Sequence, residues 1–161
     1  MSELTPRFEE LARLQPERAE RLLTALTRSP ARRGASLNTP AQMVEALRGA
    51  HIGQDKEHLW VAVVDRKLRL LALKALSVGT DCYTVMDNRM ILRFALSVPD
   101  CNGIVVFHNH PMGDPDPSLE DTRATRSLHT ACTQVGVRLV DHLVLADDSF
   151  VSMASRGLLC G

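Results

Sequence analysis

The pattern of apolar and polar positions divides residues 36–161 into alternating strand-like and helix-like segments. Unbroken apolar runs at residues 59–64 and 104–107 are typical of strands that are covered on both faces. A third apolar stretch, residues 68–77, follows the first run after a tight polar turn. This arrangement predicts an antiparallel hairpin whose first strand lies inside a sheet.

Helical spacing fills the intervals between these strands. Thr39 to Gln42 forms a predicted capping box, and the helix that it begins should run to about Leu47. Apolar residues recur every three or four positions in residues 87–96, and again from Asp121 to Val135. The predicted buried face of the second of these helices consists of Ala124, Leu128, Ala131, Cys132 and Val135.

The remaining segments complete the domain organisation. Residues 137–145 predict one strand or a bulged pair, and residues 150–153 predict a last short strand. The predicted fold class is therefore α/β, with a single mixed sheet flanked by helices. Residues 1–35 contain a short helical pattern that ends near a proline and a small arginine cluster. We expect a helical appendage at 1–35 and one domain at 36–161.

Composition indicates an ordinary globular protein. The chain has 161 residues, 45% of them hydrophobic and 24% charged, and its formal net charge is zero. Bulk charge therefore gives no indication of nucleic acid or an anionic membrane as a partner. Neither a signal peptide nor an apolar run of membrane-spanning length is recognisable, so we expect a cytoplasmic protein. Four scattered cysteines predict reduced thiols: Cys82, Cys101, Cys132 and Cys160.

The candidate chemistry follows the apolar run at residues 104–107. Side chains two apart on a strand point to the same side, so His108 and His110 should project together. A loop rich in proline and glycine then leads to a helix start, with Ser118 as N-cap and Asp121 at the third helical position. Two imidazoles and one carboxylate are ligands of a hydrolytic zinc site with its fourth position open.

Each of these residues also has an ordinary structural interpretation. The two histidines could be surface residues at a strand end, Ser118 a helix cap, and Asp121 an acid favoured by the helix dipole. Asn109 should point to the opposite side and support the backbone. His142 is interpreted as a core residue in preference to a support for the ligands.

Beyond these local features, the chain resembles a known family. Glu57 at a strand start, His108-x-His110-Pro and Ser118-x-x-Asp121 resemble the pattern of the JAMM (or MPN) metalloproteases. The full loop, together with Asp141-His142 and Gly79-Thr80, is similar to the RadC-like branch over about residues 37–159. Departures from that branch are Met112 in the loop, residues 85–88, and the lack of a helix-hairpin-helix counterpart in residues 1–35.

The resemblance implies a cytidine-deaminase-like architecture with one Zn²⁺ per chain, held by His108, His110 and Asp121. It implies that Glu57 is the general base and that Ser118 donates to the oxyanion. Taken without the family, Glu57 is an ordinary polar residue before a strand. The implied reaction is hydrolysis of a peptide or isopeptide bond, with a peptide or protein substrate of unspecified identity.

Two other functions remain as alternatives. A non-catalytic zinc-containing scaffold module of the RadC family, associated with DNA repair or mobile elements, would keep the same fold. A metal-dependent nuclease is disfavoured by the neutral charge and by the 4% aromatic content. We expect no membrane partner, and a homodimer is compatible with the fold.

Overall fold

The computed structural model describes residues 31–79 and 86–160. The helix predicted within residues 1–35 lies outside the described residues, as do Thr80 and Cys82. The helices are α1 (Pro40–Ala46), α2 (Asn88–Ser97) and α3 (Leu119–Gln134), and the strands are β1 (His58–Val64), β2 (Leu70–Val78), β3 (Gly103–Asn109), β4 (Arg138–Leu145) and β5 (Phe150–Ser152).

The five strands form one mixed sheet in the order β2-β1-β3-β4-β5. β1 pairs antiparallel with β2 and with β3, β3 pairs parallel with β4, and β4 pairs antiparallel with β5. The α/β prediction, the hairpin and the inner position of β1 are all confirmed. No helix in the described part of the chain is long and apolar enough to cross a bilayer.

Two apolar clusters cover the two faces of the sheet. Alternate residues of β1 enter different clusters: Trp60 and Ala62 pack on the side of α1, whereas Leu59 and Val61 pack against α2 and α3. The unbroken apolar run of β1 therefore reflects burial on both faces, as predicted. β3 is buried along its whole length for the same reason.

The strand β4 is continuous but bulged. Ile104 of β3 lies opposite Leu139, and Val105 lies opposite Asp141, so Val140 is the additional residue. Leu139 packs on the side of α2 and α3, whereas Leu143 packs on the side of α1. In a regular strand these two residues would share a face, so the bulge reverses the facing of everything that follows it.

Gly103 gives this bulge the space that it needs. A Cβ atom at Gly103 would lie 2.8 Å from the carbonyl oxygen of Arg138 and 3.0 Å from Cγ2 of Val140. Backbone cannot yield as a flexible side chain can, so a larger residue at this position would push β4 away from β3.

Helix α3 begins as predicted, but its buried face differs from the prediction. It ends at Gln134, and Val135 is the C-cap, where its side chain is 45% exposed. The prediction that Val135 lies on the buried face was wrong because the residue falls after the last helical turn. Thr125, a polar residue that the apolar pattern left out, is fully buried beside Leu128 and Cys132.

Candidate metal centre

His108 and His110 lie at the end of β3 and face the same side. Ile104 and Val106 pack on the side of α2 and α3, and His108 continues that alternation. The backbone N–H of His110 donates to the carbonyl of Leu145 at 2.7 Å, which extends the pairing with β4 beyond the strand. The two Nε2 atoms consequently lie 3.0 Å apart.

The loop after His110 returns the chain to the histidines at the start of α3. Ser118 is the N-cap: its Oγ accepts from the N–H of Asp121 at 3.0 Å. In return, Oδ2 of Asp121 accepts from the N–H of Ser118 at 2.8 Å, which completes a capping box. The cap therefore holds the carboxylate of Asp121 in place at the first turn of the helix.

The three side chains converge on one point. Oδ1 of Asp121 is 3.3 Å from Nε2 of His108, and Oδ2 is 3.3 Å from Nε2 of His110. Two ligands that each lie ~2.0–2.2 Å from a tetrahedral zinc ion are about 3.3–3.6 Å apart. The two histidine–carboxylate distances lie in this range, and the Nε2–Nε2 distance of 3.0 Å is slightly shorter. The cluster of His108, His110 and Asp121 could hold a metal ion.

The charges in the cluster favour a cation. Burial opposes ionisation of Asp121, but its side-chain contacts with His108 and His110 outweigh it and hold the pKa of that carboxyl far below its usual value. Burial likewise opposes protonation of His110, but Asp121, the carbonyl of Asp114 and the charge of Glu57 together raise its pKa. The negative charge that favours a proton on His110 also favours a metal ion, which competes for the same nitrogen.

The second ring nitrogen of each histidine has a defined partner. Nδ1 of His110 lies 2.7 Å from the carbonyl oxygen of Asp114, so this nitrogen carries a proton, and in the neutral ring Nε2 is left as an acceptor. Nδ1 of His108 lies 2.7 Å from Nε2 of His142. His142 is fully buried, and its burial lowers its pKa well below the ordinary value, so the ring is neutral.

His142 is therefore more than a core residue. Its Nδ1 is 2.6 Å from Oγ1 of Thr125, and that hydroxyl donates to the carbonyl of Asp121, also at 2.6 Å. His142 is buried, as the preferred interpretation predicted, and it also contacts the candidate ligand His108, which was the alternative interpretation. Sequence reasoning gave Thr125 no role, and its only signal was a polar residue among the apolar positions of α3.

Glu57 lies beside this cluster, immediately before β1. Leu59 pairs with His108, and Glu57 is two residues before Leu59, so continued strand alternation would place both side chains on one side. Glu57 is half-buried, its carbonyl accepts from the N–H of Gly79 at 2.7 Å, and its charge is one cause of the raised pKa of His110.

Asn109 fixes the backbone on both sides of Glu57. Its Oδ1 accepts from the N–H of His58 at 2.7 Å, and its Nδ2 donates to the carbonyl of Lys56 at 2.9 Å. The prediction that Asn109 supports the backbone is confirmed. Its side chain ties the segment that carries Glu57 to the strand that carries both histidines.

Comparison with known proteins now gives the family. The RadC-like JAB domain matches residues 37–158 of this chain. The chain belongs to this family. It is 36% identical over 129 residues to a UPF0758 protein of Coprothermobacter proteolyticus, and 38% identical over 122 residues to one of Stenotrophomonas maltophilia. These matches cover 78% and 76% of this chain but 54% and 52% of the relatives, so the chain spans about half of their length.

Two exposed apolar residues lie close in sequence to the candidate ligands of this RadC-like domain. Met112, the residue at which the loop departs from the family pattern, is 91% exposed. Leu119, which follows the capping serine, is 62% exposed. Exposed apolar residues of this kind offer contact area to an incoming chain.

Proposed function

We propose that this RadC-like domain is a zinc-dependent hydrolase of peptide or isopeptide bonds. The observation that carries the proposal is the convergence of two imidazole nitrogens on one carboxylate: Nε2 of His108 is 3.3 Å from Oδ1 of Asp121, and Nε2 of His110 is 3.3 Å from Oδ2. Two imidazoles with one carboxylate suit zinc, whereas magnesium and calcium prefer oxygen ligands throughout. One zinc ion per chain would be held by His108, His110 and Asp121.

Zinc bound to such a ligand set supplies a Lewis acid and lowers the pKa of a water molecule to about 7. The proposed base is Glu57, whose carboxylate takes a proton from the attacking water. The water oxygen forms a bond to the carbonyl carbon, and the carbon–nitrogen bond breaks. Glu57 then delivers its proton to the departing amine, so the carboxylate is restored at the end of the cycle.

Ser118 is proposed to stabilise the charge that develops on the attacked carbonyl. Its oxygen already accepts from the N–H of Asp121 at 3.0 Å, and the hydroxyl proton can be donated in another direction. A donor of this kind acts on the transition state more than on the substrate. Cap and oxyanion donor are therefore compatible roles for one side chain.

Substrate class is inferred from the surroundings of the cluster. Met112 and Leu119 offer apolar contacts on the loop and on the first turn of α3. A polypeptide with an apolar side chain near the scissile bond would cover both. The names of the relatives specify no activity, so this part of the proposal depends on the residues alone.

Metal analysis tests the ligand set. The purified domain should contain close to one zinc per chain, and His110→Ala and Asp121→Asn should both lose it. Glu120→Gln is the matched control, because Glu120 is an exposed acid on the same helical turn. Full zinc content in both ligand variants would refute the assignment.

Cleavage of a quenched fluorescent peptide library tests the base. Glu57→Gln should keep its zinc and lose cleavage, whereas Asp55→Asn, an exposed acid of the same loop, should retain both. If Glu57→Gln cleaves as fast as the wild type, Glu57 is not the base. Zinc binding without any cleavage in the wild type would favour the scaffold alternative.

A further inference from the structure

Three short contacts connect two of the candidate ligands through the interior of the protein. Nδ1 of His108 lies 2.7 Å from Nε2 of His142, and Nδ1 of His142 lies 2.6 Å from Oγ1 of Thr125. Oγ1 of Thr125 lies 2.6 Å from the backbone carbonyl of Asp121. The chain of contacts begins on one ligand side chain and ends on the backbone of another.

The direction of every proton in this chain follows from its last member. A carbonyl oxygen can only accept, so the single hydroxyl proton of Thr125 lies between Oγ1 and the oxygen of Asp121. If that proton pointed to His142 instead, two oxygens would face each other at 2.6 Å without a hydrogen between them. Thr125 must therefore accept from His142, whose proton lies on Nδ1.

The same reasoning then reaches the ligand. His142 is fully buried, and burial disfavours a second proton on its ring, so it carries one N–H only. Because that proton is on Nδ1, Nε2 of His142 accepts, and His108 donates from its own Nδ1. Nε2 of His108 is left with an unshared electron pair that points towards Asp121 and His110.

We propose that Thr125 and His142 act as positioning residues that fix the tautomer of His108 and so make its Nε2 the metal ligand. This inference rests on the proposed function to the extent that His108 is a ligand. No ring gains or loses a proton in the arrangement; only the nitrogen that carries it is specified. His110 obtains the same result directly from the carbonyl of Asp114.

Two irregular features of the fold place these positioning residues: a buried polar residue in α3 and the bulge in β4. Thr125 occupies a fully buried position of α3 where an apolar residue would pack more simply. His142 reaches the side of α3 only because the bulge at Val140 reverses the facing of β4. Groups that orient a metal-binding histidine through its second nitrogen typically contribute 10–100-fold to metal affinity.

Thr125→Val is the decisive change because valine keeps the shape and removes the hydroxyl. Without its acceptor, His142 can move its proton to Nε2, where it donates to His108 and forces the His108 proton onto the ligand nitrogen. We expect zinc affinity, measured by competition with a chelator, to fall about 10–100-fold. Thr125→Ser restores the hydroxyl and should bind within about threefold of the wild type.

Two further measurements separate tautomer control from a general structural effect. Thr130→Val makes the same replacement at an exposed position of α3 whose hydroxyl also bonds the preceding turn, and should leave zinc affinity unchanged. Nitrogen-15 NMR of the zinc-free protein should find His108 protonated on Nδ1 in the wild type and Thr125→Ser, and on Nε2 in Thr125→Val. The zinc-free spectra test the inference even if the proposed function fails.

His142 provides a second route if Thr125→Val does not fold. His142→Gln can still accept from His108 and donate to Thr125, whereas His142→Leu can do neither. Glutamine should therefore retain more zinc affinity than leucine. Equal affinity in these two variants, or wild-type affinity in a folded Thr125→Val, would overturn the inference. Absence of zinc from the wild type would overturn the proposed function instead.

Discussion

Asn109 lies between the two candidate ligands and offers a sharp test of how Glu57 is held. Its side chain is 2% exposed and bonds the N–H of His58 and the carbonyl of Lys56. Asn109→Ala removes both hydrogen bonds and leaves β3 and its backbone pairing in place. The change should therefore loosen the segment that carries Glu57 without displacing the metal ligands.

The cost can be worked from the environment of the two backbone groups. Lys56 is exposed, so its carbonyl can bond water, and loss of that bond should cost about 1 kcal/mol. The N–H of His58 is half-buried and less easily solvated, so we expect about 1–2 kcal/mol there. Asn109→Ala should accordingly lower the free energy of unfolding by about 2–3 kcal/mol in total.

Urea denaturation of the zinc-free protein measures this free energy directly, provided that the slope of the transition does not change. Asn88→Ala is the matched control: Asn88 makes an exposed side-chain bond to Ser127, and its loss should cost no more than about 0.5 kcal/mol. Zinc content should match the wild type in both variants, and peptide cleavage should fall only in Asn109→Ala. Equal destabilisation by the two changes would refute the reasoning.

Two further predictions concern the cap of α3 and the charge of the site. Ser118→Ala should lower the free energy of unfolding by about 1 kcal/mol and cleavage by about 10²–10³-fold. Thr39→Ala, which removes the matching cap of α1, should give a similar stability loss by urea denaturation and no change in cleavage; equal cleavage by both variants would contradict the role of Ser118. As the pH is lowered, protons compete with zinc for His110. Because the pKa of His110 is raised, zinc affinity should begin to fall at a pH above about 6.5, the ordinary pKa of histidine, and Glu57→Gln should move that fall to lower pH. The stability of the zinc-free protein should show the opposite pH dependence: the raised pKa stabilises the fold fully below pH ~6.5, and this stabilisation is lost as the pH rises through the folded-state pKa. Zinc titrations across this pH range check the affinity, and urea denaturation checks the stability.

The parts of the site that local rules govern could be predicted from the sequence. The positions of His108 and His110 follow from strand alternation, and the capping box of Ser118 and Asp121 follows from the preferences of a helix start. Glu57 required the family resemblance, because nothing local distinguishes it from any polar residue before a strand. Local patterns were therefore sufficient for the three candidate ligands and insufficient for the proposed base.

The support beneath the ligands could not be predicted, because it depends on pairing between distant strands. A regular β4 would place His142 on the same face as Val140, on the side of α1, away from His108. The bulge turns it to the other face, and the bulge exists only in the register between β3 and β4, with Gly103 leaving space for it. Thr125 is likewise an isolated polar residue in the sequence until His142 lies beside it. The ligand positions are thus local properties of the chain, whereas the orientation of His108 is a property of the assembled sheet.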